Sequence, residues 1–207
     1  MNCDDLLTPT QRQAAAAALA GVRADPSSIR VRFPAAARTI ARTAAGHGDL
    51  GRFRAEDQVR LRLLETFAEV TSDQEALVQE VETLYRYGDT DERRAVLLSL
   101  SHLPIGDRAI EMVRDALRSN DPRLVVAALG DYGHQHLDAP AWRQGVLKCL
   151  FMGIPLDLIS GLSTRFDQTL RDMVAAYAQE RTAAGRAVPA DAQRILDSSS
   201  DSTETES

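Results

Sequence analysis

His134, His136 and Asp138 stand at alternate positions in the run His134-Gln135-His136-Leu137-Asp138. Two imidazoles and a carboxylate suit zinc, iron or manganese. In strand-based hydrolases this spacing works because alternate residues of a strand face one way. Here the run lies between two helical patterns, and no strand is there to impose that geometry. The favoured reading gives Asp138 to the next helix as its N-cap, where free N–H groups and the helix dipole meet a carboxylate. The histidines then line a loop. The other two, His47 and His102, fall near breaks, and nothing in the sequence ties them to this run.

A second group follows directly. Gln144 and Lys148 form a narrow polar strip on a segment that also carries Trp142, the only tryptophan. A lysine on a mostly buried helix either snorkels outward or meets an anion. That anion is a structural acid in the favoured reading, or else a phosphate or carboxylate held in a groove. Arg165 is suited to neutralising a helix end or binding an anion. Glu180, Arg181 and Arg186 read by default as surface or pairing charges. Ser160 and Ser163 have no base nearby in sequence, and Cys149 reads as a small buried hydrophobe rather than a nucleophile. Asp4-Asp5 lacks the DDxxD spacing that holds magnesium–diphosphate in helical prenyl-chain enzymes, and the second acidic motif of those enzymes is missing. Gly46-His47-Gly48-Asp49-Leu50-Gly51 superficially resembles a phosphate loop. It lacks the Lys-Ser/Thr pair and a preceding strand, so it reads as a linker.

The elements that must position these residues all read as helix. Thr8-Pro9 is a capped start with proline in the first turn. Pro34 is expected to open a second helix through Ile40. Val59, Leu63, Leu64, Phe67 and Val70 repeat at helical spacing, as do Leu77, Val81, Leu84 and Tyr85, with Gly88 expected as a left-handed cap. Ala109, Ile110, Val113, Ala116 and Leu117 form another stripe. Asp89, Ala95 and Leu97 align with Asp121, Ala127 and Leu129 at an offset of thirty-two residues. That is the pattern of inner helices in HEAT-like hairpins, where small residues allow close approach. The helix from Ala139 is apolar on most sides, as a core helix is. Pro155 stops it, Leu156 to Leu162 reads as a short helix, and Thr164 opens a long one carrying Phe166, Leu170, Met173, Val174 and Tyr177 to Gly185. Pro189 opens a last short helix. From Ser198 the chain is acidic and too poor in apolar surface to order itself.

Bulk properties bound the function. At 207 residues, with 44% apolar and 26% charged, the chain can bury a core without disulfides or metals. A net charge of -6 argues against nonspecific nucleic-acid binding. Cys3 and Cys149 are far apart and fit no disulfide or zinc framework, which suits a reducing cytoplasm. No apolar run is long enough to span a bilayer.

Several runs resemble the EboA family: Gln144 to Gly153, Pro155-Leu156, Gly161-Leu162, Arg165, and Ala178-Gln179-Glu180-Arg181-Thr182-Ala183-Ala184-Gly185-Arg186. Phe33 to Arg38 and Asp57 to Leu64 are similar too. The likeness runs from about Phe33 to Pro189. It departs at Asp131-Tyr132-Gly133-His134, at Thr182 and at Asp191-Ala192-Gln193-Arg194-Ile195. The resemblance implies an all-helical protein of a bacterial metabolite-trafficking gene set. Its neighbours look like a prenyltransferase, a hydrolase, an isomerase-like barrel and a dehydroquinate-synthase-like cyclase; it carries no catalytic residue list.

The expected fold is therefore all-α, a right-handed array of antiparallel helix hairpins, HEAT-like or an irregular helical bundle, with no sheet. Residues 1–32 form an N-terminal helical segment, 33–189 the EboA-like domain, and 190–207 a short helix and acidic tail. The expected function is a cytoplasmic, non-catalytic adaptor binding a neighbouring-gene protein or a precursor through Trp142, Gln144, Lys148, Arg165, Glu180 and Arg181, with no cofactor. The rivals are a metal-dependent or metal-binding protein using His134, His136 and Asp138, and a carrier for a prenylated or aromatic small molecule.

Overall fold

The computed structural model describes residues 6–43, 50, 51 and 53–197, and among them there are helices and no strands. The expectations for Cys3, Asp4-Asp5, the glycine-rich run through Asp49 and the tail from Ser198 lie outside the described residues. Twelve α-helices follow in order: α1 (Pro9–Ala24), α2 (Ile29–Thr39), α3 (Ala55–Val70), α4 (Gln74–Tyr87), α5 (Thr90–Ser99) and α6 (Ile110–Arg118). They continue with α7 (Pro122–Ala128), α8 (Asp131–His136), α9 (Ala139–Met152), α10 (Leu162–Arg165), α11 (Gln168–Ala183) and α12 (Ala190–Asp197).

Local chemistry explains most of the starts. Thr8 and Gln11 form a reciprocal capping box on α1. Asp73, Asp89, Asp121, Asp138 and Asp167 each accept a first-turn N–H of the helix they precede. Asp89 and Asp121, the pair related by the thirty-two-residue offset, thus do the same job on α5 and α7, which pack together. α2 starts five residues before Pro34, the expected opening. A turn capped by Asp25 launches it, and Ile29, Phe33 and Ala36 are fully buried, so packing outweighs the bond that proline removes. Gly88 is extended, at φ −73°, instead of left-handed. Its missing side chain matters because a Cβ would meet the Leu84 carbonyl at 2.6 Å and Glu92 Cβ at 2.9 Å.

α3 packs on α1, α2 and α5, and then each odd-numbered helix packs on the next: α5 on α7, α7 on α9, α9 on α11. One apolar core runs through this series, from Val22 and Phe33 to Val174 and Ile195. Charge is buried in it as well. Asp57 and Arg94 pair at the α3–α5 contact, both almost wholly enclosed. Buried Arg60 donates to the Phe33 carbonyl at 3.2 Å and lies 3.6 Å from Glu92. Nearer the surface, Arg54, Asp91, Arg123 and Asp121 continue as a ladder with contacts of 3.1, 2.8 and 2.8 Å. These acids and arginines meet because the N-termini of α3, α5 and α7 lie side by side, where carboxylates also face favourable helix dipoles. Burial pushes the Asp57 carboxyl up, against the pull of Arg94 and the Arg54 N–H. No helix among the described residues is long and apolar enough to cross a membrane.

Candidate functional site

The stretch from Asp131 to Ile195 contains most of the side chains selected from the sequence. Its first feature is a clamp. α8 is too short to satisfy its own last carbonyls, and Arg165 supplies the donors: Nη1 to the His134 carbonyl at 2.8 Å and to that of Gly133 at 3.3 Å, Nη2 to that of Leu137 at 2.7 Å. The same guanidinium lies 5.0 Å from the centre of the Trp142 ring. Trp142 is 1% exposed, and its Nε1 has no hydrogen-bond partner. Arg165 thus neutralises a helix end, one of the two roles open to it from sequence. Burial lowers its pKa, but a guanidinium stays charged.

The other selected residues are committed elsewhere. Lys148 Nζ donates to the Leu117 carbonyl at 2.7 Å, capping the end of α6, so its partner is a backbone oxygen and not an acid. Gln144 on the same helix is exposed. Arg143 binds both oxygens of Asp167, which caps α11 through the Leu170 N–H, and these bonds hold the carboxyl below its usual range. Glu180 is exposed near the end of α11, where Arg181 donates to the Ala187 carbonyl at 2.6 Å and lies over Tyr177. Cys149 is fully buried, and burial pushes its thiol up to about 12, which leaves no thiolate for nucleophilic chemistry.

His134 and His136 end the helix α8 rather than lining a loop. The His136 ring packs 4.4 Å from that of Tyr132. Asp138 accepts from the Ala141 N–H at 2.8 Å and from Arg114 at 2.8 Å, so its N-cap reading holds. His134 sits under Gly161, where a Cβ would come within 2.0 Å of Nδ1; at φ +83° that position excludes ordinary side chains on backbone grounds too. Among the described residues no group of three or more His, Cys, Asp or Glu is placed to hold a metal ion.

On the other side of Gly161 the surface opens into a groove of about 760 Å³. The expected helix over Leu156–Leu162 is instead a single tight turn at Leu156–Leu158, followed by the left-handed Gly161 and the one-turn helix α10. α11 then begins at Gln168, later than the Thr164 start expected, because Asp167 is the cap. This broken path holds Leu156, Ile159, Leu162 and Phe166 along one wall, and Ile195 of α12 faces them. Asp191 accepts from the Leu156 N–H at 2.8 Å and pairs with Arg194, which fixes α12 against the turn. Arg171, on the rim, donates to the Leu196 carbonyl and has no carboxylate partner among the described residues. Lys148, His136 and Glu180 do not line this groove. The short helix expected from Pro189 is α12, but the groove it closes was not among the sites expected from the sequence; the one signal for it was the break at Pro155 and Gly161, which periodicity cannot resolve.

Comparison with curated proteins and with solved structures found no match. The family model described as "Metabolite traffic protein EboA" matches residues 38–197, from the end of α2 through the whole of α12, and with most of its length matched the chain belongs to the EboA family.

Proposed function

We propose that this protein handles a small metabolite without transforming it, holding an apolar precursor in the groove between residues 156–166 and α12. The observation that carries the reading is the groove's make-up: a long apolar wall, a volume adequate for a ligand of drug-like size, and one arginine at the rim whose charge no carboxylate shares. An aromatic or prenyl body suits Leu156, Ile159, Leu162 and Phe166, and an anionic end suits Arg171. Family membership in metabolite traffic supports this reading. The prenyltransferase-like, hydrolase-like and isomerase-like neighbours implied by the sequence resemblance are the expected suppliers or recipients. In this reading Trp142, Arg165 and Lys148 hold the helices that shape the groove, and the groove itself meets the ligand.

Leu162 is half-buried on the groove wall, so a charge there spoils the apolar wall without opening the core. Native mass spectrometry of protein purified from its own host should show a bound small molecule that Leu162→Glu protein lacks. Titration with 8-anilinonaphthalene-1-sulfonate, an aromatic body with an anionic end, should give a saturable one-site signal. Leu162→Glu should abolish that signal and Arg171→Gln should weaken it. Identical titrations for the three proteins, with no co-purified molecule in the parent, would exclude the groove as the binding site.

A further inference from the structure

A second groove, of about 470 Å³, lies between α4, α5 and the length of α6, and its lining holds more arginines than carboxylates in a chain with a net charge of -6. Arg86, Arg93, Arg108 and Arg118 all contribute to its walls. Three carboxylates do so too, but each is already neutralised. Glu82 pairs with Arg86 at 2.5 Å, and Glu111 with Arg114 at 2.8 Å. Asp115 takes Arg93 at 2.5 Å, Arg118 at 3.2 Å and the Tyr85 hydroxyl at 2.9 Å.

Arg108 is left over. It is exposed, and among the described residues no carboxylate or hydrogen-bond acceptor engages its side chain. Arg93 stands beside it in a fixed position. Its guanidinium lies 4.5 Å from the centre of the Tyr85 ring, tethered through Nη2 to the Tyr85 hydroxyl and Asp115, while its Nε is buried and closed to a ligand. The groove therefore offers one uncommitted guanidinium and a second that is oriented in advance. Planar guanidinium forks match the oxygens of a phosphate in pairs, and a preset fork loses little freedom on binding.

We propose that the Arg93–Arg108 groove binds a phosphate or diphosphate group of a soluble metabolite. The inference is independent of the groove by α12, with which it shares no residue.

Calorimetric titration of the full chain with inorganic diphosphate at low ionic strength tests it. Saturable binding at one site is expected, weakened about tenfold or more in Arg108→Ala by loss of charge-assisted hydrogen bonds. Arg38→Ala removes one exposed positive charge from α2, away from the groove, and should leave the affinity unchanged. A titration without saturation, an unaffected Arg108→Ala protein, or an equal loss in Arg38→Ala would each overturn the site. Flotation with phosphatidylglycerol vesicles separates the other source of phosphate. Vesicle binding that depends on Arg108, with no response to free diphosphate, would overturn the assignment to a soluble metabolite.

Discussion

Trp142 shows how a residue selected for function turns out to hold structure. Its ring is enclosed, its Nε1–H is unsatisfied, and its face carries Arg165, which in turn collects three carbonyls from the end of α8. Removing the ring should cost about 3–5 kcal/mol, since Trp142→Ala leaves a large void. Trp142→Phe should cost clearly less. It keeps an aromatic face for the guanidinium and removes an N–H that has lost its water without gaining a partner. Urea unfolding followed by circular dichroism measures both, because each variant lacks the chain's only tryptophan fluorophore. Equal losses would mean that the indole N–H contributes more than the structure indicates. At this scale the sequence was readable in kind but not in partner. Asp138 as an N-cap follows from its place before Ala139-Pro140. That Lys148 meets the Leu117 carbonyl 31 residues away follows from nothing local.

Elements are tied together here by capping acids that do two jobs. Asp167 caps α11 and also receives Arg143 from α9, so one carboxylate fixes both the start of a helix and its place against a neighbour. Those bonds depress its folded-state pKa. Its contribution is therefore present above the unfolded value, about 4, and is lost as pH falls through the lower folded value. Asp167→Ala should lower the melting temperature at pH 7, and the gap from the parent protein should narrow steadily below pH of about 4. A gap that stayed constant with pH would mean that the carboxylate's charge is not what matters. The elements themselves were legible where apolar spacing repeats over several turns, as in α3, α4 and α11. They were misplaced at Pro34, Thr164 and Leu156–Leu162, since boundaries depend on which capping side chain wins and on burial that makes a mid-helix proline tolerable.

Across the whole molecule, the α3–α5–α7 stack closes over ionised groups. Arg94 and Asp57 are buried together, and removing one leaves the other charged in a poorly solvating interior. Arg94→Met should therefore destabilise the fold by about 3–5 kcal/mol. The double variant Arg94→Met with Asp57→Leu should recover a substantial part of that, because two apolar side chains replace the pair. Denaturant midpoints of the single and double variants give the coupling directly. A double variant no more stable than Arg94→Met alone would show that the surrounding N-terminal acids and arginines, not the pair, govern this layer. From the sequence by itself came the all-helical class, the family likeness, the core face of each strongly periodic helix and the shared capping role of Asp89 and Asp121. These follow from spacing along the chain, which constrains neighbours three and four residues apart. The tertiary structure alone decided that acids and arginines from three helix starts form one network running from a buried pair to the surface, that Lys148 and Arg165 serve backbone carbonyls, that one groove lies where a broken turn meets α12, and that the other lies where α4, α5 and α6 bring distant side chains together. Those are contacts between residues tens of positions apart, set by how faces pack and not by any local pattern.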